Sequence, residues 1–150
     1  MKKLILISIL TFVSFIAFSQ KSDYNIQKGA VASGYDVVAY FSNNATKGKK
    51  NYSTTYDNAT FRFSSKENLD TFLKSPKKYV PQYGGYCAYA IGLKGEKVAI
   101  DPKTFEIRDG NLYLFYNSWG TNTLELWLNE NPDALKLKAD ENWLSLKEKA

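Results

Sequence analysis

The chain has 150 residues, a formal net charge of +5, one cysteine and no histidine. The missing histidine excludes Cys-His dyads, Ser-His-Asp triads, His-ligated metal sites and the ordinary neutral-pH proton shuttle. The lysines are scattered, as in Lys47-Gly48-Lys49-Lys50 and Lys136-Leu137-Lys138, and only Arg62 and Arg108 join them. That distribution reads as solvated surface, so no nucleic-acid partner is expected.

Residues 1–19 carry the marks of a signal peptide. Lys2 and Lys3 precede an apolar run from Leu4 to Phe18, and Ala17-Phe18-Ser19 places small residues before a cleavage point. The run is about fifteen residues, short for a spanning helix of about twenty. The expectation is a periplasmic or secreted protein with no stable membrane anchor after cleavage; an uncleaved anchor is the alternative. Removing nineteen of the 150 residues leaves 131, enough for one domain with a real core at residues 20–150, and losing Lys2 and Lys3 takes the charge from +5 to +3. All eleven tyrosines survive cleavage and suit a core or cleft with apolar walls and polar tips.

The fold class read from the pattern is α+β, a small single domain with two antiparallel hairpins covered by helices. Residues 20–33 are polar and read as a loose arm. Asp36-Val37-Val38-Ala39-Tyr40-Phe41 suits a buried strand or tight extended segment, with Asp36 capping a turn or facing a pocket. Strands around Tyr52–Tyr56 and Thr60–Phe63 flank the turn Asp57-Asn58-Ala59. Ser64 or Ser65 caps a helix to residue 74, Ser64 and Glu67 having capping-box spacing, and Leu69, Phe72 and Leu73 form its inner face. Lys77–Val80 adds a helical turn. Tyr86–Ile91 reads as a short helix closed by Gly92. A second hairpin pairs Phe105–Arg108 with Leu112–Tyr116 across Asp109-Gly110. Helices fill residues 118–146: Leu124, Trp127 and Leu128 share a face, Asn131-Pro132 starts the next helix, and Trp143 packs a final short one.

The chemistry concentrates at Cys87, in Tyr83-Gly84-Gly85-Tyr86-Cys87-Ala88-Tyr89-Ala90. Exported proteins usually pair their cysteines, so an unpaired one is an inert core residue or a reactive thiol. At the first turn of a helix behind Gly84-Gly85, unpaired N–H groups and the helix dipole would favour the reactive thiolate. Packed among Tyr83, Tyr86 and Tyr89, the same residue would be an inert small hydrophobe. No CxxC supplies a resolving partner, and no Cys or His set has metal-ligand spacing. The dispersed acids Asp101, Glu106 and Asp109 flank a hairpin, where turn and surface roles suffice.

Several ordered blocks resemble the exported YHS-domain proteins of bacteria. They are Gly34-Tyr35-Asp36-Val37-Val38-Ala39-Tyr40-Phe41, Phe61-Arg62-Phe63-Ser64-Ser65-Lys66-Glu67-Asn68, and Pro76 through Ala90 with its Tyr83-Gly84-Gly85-Tyr86-Cys87 centre. Asp101-Pro102, Asp109-Gly110-Asn111-Leu112-Tyr113-Leu114 and Ala139-Asp140-Glu141-Asn142-Trp143 continue the likeness, which spans roughly residues 30–145. Function in that group is largely unknown. Some members carry selenocysteine at the position matching Cys87, which implies redox or nucleophilic chemistry there. The wider family includes cysteine-bearing modules of metal-handling proteins. This chain has Ser64, Ser65 and Asn68 in the corresponding stretch and lacks the histidine, so a metal role is not carried over.

Two functional classes follow. In the first, the protein is a thiol-redox protein: Cys87 is the catalytic thiol, Tyr83, Tyr86 and Tyr89 shape its pocket, Gly84 and Gly85 let substrate approach the backbone, and an external thiol or redox partner protein resolves it. In the second, a non-catalytic binding module holds a small molecule, or a soft ion such as Cu(I), in an aromatic cleft. A structural domain with an inert Cys87 is the third possibility. The sequence assigns no cofactor.

Overall fold

Asp57-Asn58 and Asp109-Gly110, the turn pairs read from the sequence, each hold two successive residues at positive φ (48° and 59°; 51° and 76°) in the computed structural model of the protein. That left-handed pair matches the twist of two-residue hairpins, and Asp, Asn and Gly tolerate it best. The structure describes residues 22–149; the predicted signal peptide, residues 1–19, lies outside them. The first turn joins β3 (Lys49–Tyr56) to β4 (Ala59–Phe63), with Thr54 opposite Phe61 and Thr55 opposite Thr60. The second joins β5 (Asp101–Arg108) to β6 (Asn111–Phe115), with Glu106 opposite Tyr113. Two minimal hairpins were not foreseen: β1 (Ile26–Gln27) with β2 (Ala30–Val31), and β7 (Asn117–Ser118) with β8 (Thr121–Asn122). The expected loose arm is therefore partly structured, and buried Ala30 and Val31 pin it to the body.

Ala59, Phe61 and Phe63 alternate inward along β4 and meet Phe72 of helix α1 (Lys66–Lys74), with ring centroids 5.0 Å apart for both phenylalanines. Burying each such ring contributes roughly 1.5–3 kcal/mol. Ser65 caps α1, its side chain accepting from the Asn68 N–H, so the Ser64–Glu67 capping box is not used. Leu69 is half-buried against the core, but Leu73 is exposed: a nine-residue helix beside one hairpin buries a stripe narrower than its periodicity suggests. Helix α2 (Pro76–Tyr79) begins with proline at its first position.

Asp36 overturns the expected strand at 36–41. Its Oδ1 accepts the N–H groups of Val38 (2.9 Å) and Ala39 (3.2 Å), which diverts the backbone into a 3-10 turn over Ala39–Ser42. Oδ2 accepts from the Ser64 N–H (2.8 Å), the Ser64 hydroxyl (2.7 Å) and the Asn68 amide (2.7 Å). This fully buried carboxylate clamps the turn to β4 and α1.

Helix α3 (Ala88–Lys94) starts after Cys87 and ends at Gly95, whose φ of 65° forms the left-handed cap. Gly92 thus lies inside the helix and does not close it, and Tyr86 lies outside. After α3 come β5–β8, then α4 (Thr123–Asn129) and α5 (Pro132–Glu148), capped by Asn122 and Asn131. Trp127 is buried and Leu128 exposed; Trp143 sits within one continuous seventeen-residue helix, not a separate short one. Gly92 lets α3 approach α5: a β-carbon there would sit 2.7 Å from the Leu135 carbonyl oxygen. Gly92→Ala is therefore expected to destabilise by about 1–3 kcal/mol, although alanine favours a helix interior by about 1 kcal/mol. Urea unfolding gives the sign; a stabilised variant would show that helix propensity outweighs the close packing.

Candidate functional site

The segment Gln82–Gly85 reverses the chain ahead of Cys87 through three successive left-handed residues, Tyr83 (φ 53°), Gly84 (61°) and Gly85 (79°). The space over Gly84 is filled by the backbone carbonyl of Asp23, which a β-carbon would strike. The Asn25 N–H donates to the Gly84 carbonyl (2.8 Å), and the Asn25 amide donates to that of Gly85 (3.1 Å). At Gly84 the close approach is made by the protein's own N-terminal segment, and at Gly85 by the Pro81 ring.

Cys87 occupies the N-cap position of α3 and is fully buried. Its N–H donates to the Val98 carbonyl (3.0 Å), and its carbonyl accepts from Ile91 (3.1 Å). The side chain accepts no first-turn N–H, so the direct backbone support expected for a thiolate is not formed. Its sulfur lies 3.3 Å from the Thr123 hydroxyl. That hydroxyl spends its one proton on the Tyr116 carbonyl (2.7 Å), so in the thiol form Cys87 donates and Thr123 accepts.

Above this pair is a groove of about 210 Å³. Ala90, Leu93, Val98, Tyr89 and Tyr116 supply largely apolar walls, and Lys94 and Glu96 supply the charged lining. The Tyr89 hydroxyl donates to Glu130 (2.9 Å); burial, then Glu130, raises its pKa above the usual phenol value. Of the five predicted binding residues, only Tyr89 joins Cys87 in this groove.

The other predicted residues belong elsewhere. Tyr83 and Gly84 line a separate cleft of about 470 Å³. The Tyr83 hydroxyl donates to Asp140 (2.8 Å), and burial, then that carboxylate, raises its pKa. Tyr86 packs on Trp143 with ring centroids 6.2 Å apart, and burial followed by Asp23 raises its pKa. Gly85 packs against Pro81.

The sequence reading missed Thr123 and Tyr116, which no local pattern ties to residue 87. It could have found Ala90 and Lys94, three and seven positions after Cys87 and so on its helical face. No protein-family model, curated protein or solved structure matches the chain.

Proposed function

We propose that the protein is an exported member of the YHS-domain group that acts through Cys87 as a thiol-redox protein on small substrates entering the groove. One observation carries this reading: the Cys87 sulfur lies beneath a groove of about 210 Å³ with the Thr123 hydroxyl 3.3 Å away. Two blocks of the resemblance also meet in space, Asp36 bonding Ser64 and Asn68, which supports treating them as parts of one unit. In the reaction, the thiolate attacks one peroxide oxygen, the O–O bond breaks, and sulfur is oxidised to sulfenic acid. The departing hydroxide or alkoxide takes a proton from solvent. One external thiol then forms a mixed disulfide with loss of water, and a second displaces it to restore Cys87. Thr123, by turning its proton from Tyr116 to sulfur, donates to the thiolate.

The test treats native protein with hydrogen peroxide and traps sulfenic acid with dimedone, alongside methyl methanethiosulfonate as a small thiol reagent. Both modifications are expected, and both disappear in Cys87→Ser. Thr123→Val is expected to slow them by about tenfold or more, the effect of one hydrogen bond to a charged group. A thiol that both reagents leave untouched until urea unfolds the chain would make Cys87 an inert core residue.

The largely apolar groove beside a single free cysteine favours a second reading, a binding module for a small molecule or soft ion. Among the described residues no group of three His, Cys, Asp or Glu side chains could hold a metal, so Cu(I) would need donors from a partner. Silver(I) binding abolished by Cys87→Ser, without peroxide reactivity, selects this module.

A further inference from the structure

The larger cleft shares no lining residue with the Cys87 groove. Its volume, about 470 Å³, is that of a small-molecule site. Four parts of the chain converge on it: Asp23 and Tyr24 from the N-terminal segment, Asp57 from the β3–β4 turn, the loop ending at Gly84, and Asp140, Trp143 and Lys147 from α5. Three carboxylates thus face one ammonium on the wall of a protein that is basic overall.

Those carboxylates are not equivalent. Asp140 is already held by the Tyr83 hydroxyl and by Lys136, each at 2.8 Å. Asp23 and Asp57 form no ion pair among the described residues. Their charge reaches Tyr24, whose pKa is pushed up to about 12 by burial, then Asp57, then Tyr56 and Asp23. Acidic groups alone would be a solvated surface, but here aromatic rings accompany them. Trp143 already takes the Lys97 ammonium 5.3 Å from its ring centroid while also lining the cleft. Rings of this kind attract cations through their negative faces.

We propose that this cleft binds a small organic ammonium ion with an apolar or aromatic body. The ammonium pairs with Asp23 and Asp57, and the body lies against Tyr24 and Trp143. Lys147 opposes a second positive charge, so monocations are preferred to polyamines.

Calorimetric titration of the mature chain with phenethylamine tests this, with 3-phenylpropionate as the charge-reversed analogue and spermidine as the polycation. Phenethylamine is expected to bind with a dissociation constant of about 1 mM or tighter, the range a nine-heavy-atom ligand can reach. The analogue should not bind, and spermidine should bind more weakly. The double variant Asp23→Asn/Asp57→Asn should weaken phenethylamine binding at least about tenfold. Asn is at home at the left-handed Asp57 position, so folding is preserved, which far-ultraviolet circular dichroism verifies. Cys87→Ser should leave binding unchanged, so failure here is separate from failure of the thiol reading. Equal binding of the analogue, stronger binding of spermidine, no loss in the double variant, or no heat from phenethylamine would each overturn the proposal.

Discussion

Asp36→Ala is expected to lower stability by about 3–5 kcal/mol, a large share of the roughly 5–15 kcal/mol typical of a small domain. The Asp36 carboxylate has no solvent exposure and accepts five hydrogen bonds. Alanine leaves the donors at Val38, Ala39, Ser64 and Asn68 facing a void. An orphaned buried donor costs about 1–3 kcal/mol where no relaxation rescues it. Asp36→Asn keeps the shape but turns one end of the group into a donor facing donors, so it should recover little. Ser64→Ala removes a single hydroxyl and should cost about 1 kcal/mol. Urea melts of the three variants order these effects. If Asp36→Ala lost no more than Ser64→Ala, the clamp would not be holding the turn, β4 and α1 together.

The same residue shows what the sequence could and could not reveal. Asp57-Asn58 and Asp109-Gly110 were legible because left-handed backbone demands particular residues within two positions. Asn131-Pro132 was legible for the same local reason: the Asn131 side chain accepts the Ala134 N–H at the helix start. Asp36, in contrast, finds partners twenty-eight and thirty-two positions away. Its apolar neighbours Val37, Val38 and Ala39 read as a strand, but the side-chain bonds override that propensity. Leu73 and Leu128 have core periodicity yet are exposed, because short helices bury only part of an amphipathic face.

The site divided for a similar reason. The glycines at 84 and 85 announced a close approach to the backbone but not what approaches. The answer, Asp23 and Asn25, lies about sixty residues upstream. Tyr83, Tyr86 and Tyr89 are spaced by three and read as one aromatic cluster around Cys87. The left-handed turn at Tyr83–Gly85 breaks that helical spacing and sends Tyr83 to one cleft and Tyr89 to the other. The Thr123 contact to Cys87 spans thirty-six positions and leaves no trace in local pattern.

Raising the pH above about 10 is expected to unfold the domain within about one to three pH units. The pKa values of Tyr24, Tyr40, Tyr83, Tyr86, Tyr89 and Tyr113 are all raised, with burial the largest cause in each. Below pH 10 these phenols are protonated in both states and their stabilising effect is complete. Above it the unfolded chain loses protons that the folded chain keeps, so stability falls as pH rises through the folded pKa values. Counting only Tyr40, Tyr83 and Tyr113, which are 0%, 4% and 1% exposed, three protons give a slope of about 4 kcal/mol per pH unit. That exhausts a typical domain's stability quickly. Tyr113 isolates the effect, because its buried hydroxyl has no hydrogen-bond partner among the described residues. Tyr113→Phe should leave neutral-pH stability unchanged or raise it by about 1 kcal/mol, and it should flatten the alkaline slope by about one proton. Urea midpoints across this pH range, followed with tyrosinate absorbance, test both. If tyrosinate from these six residues formed before the fold was lost, their burial would not be what limits alkaline stability.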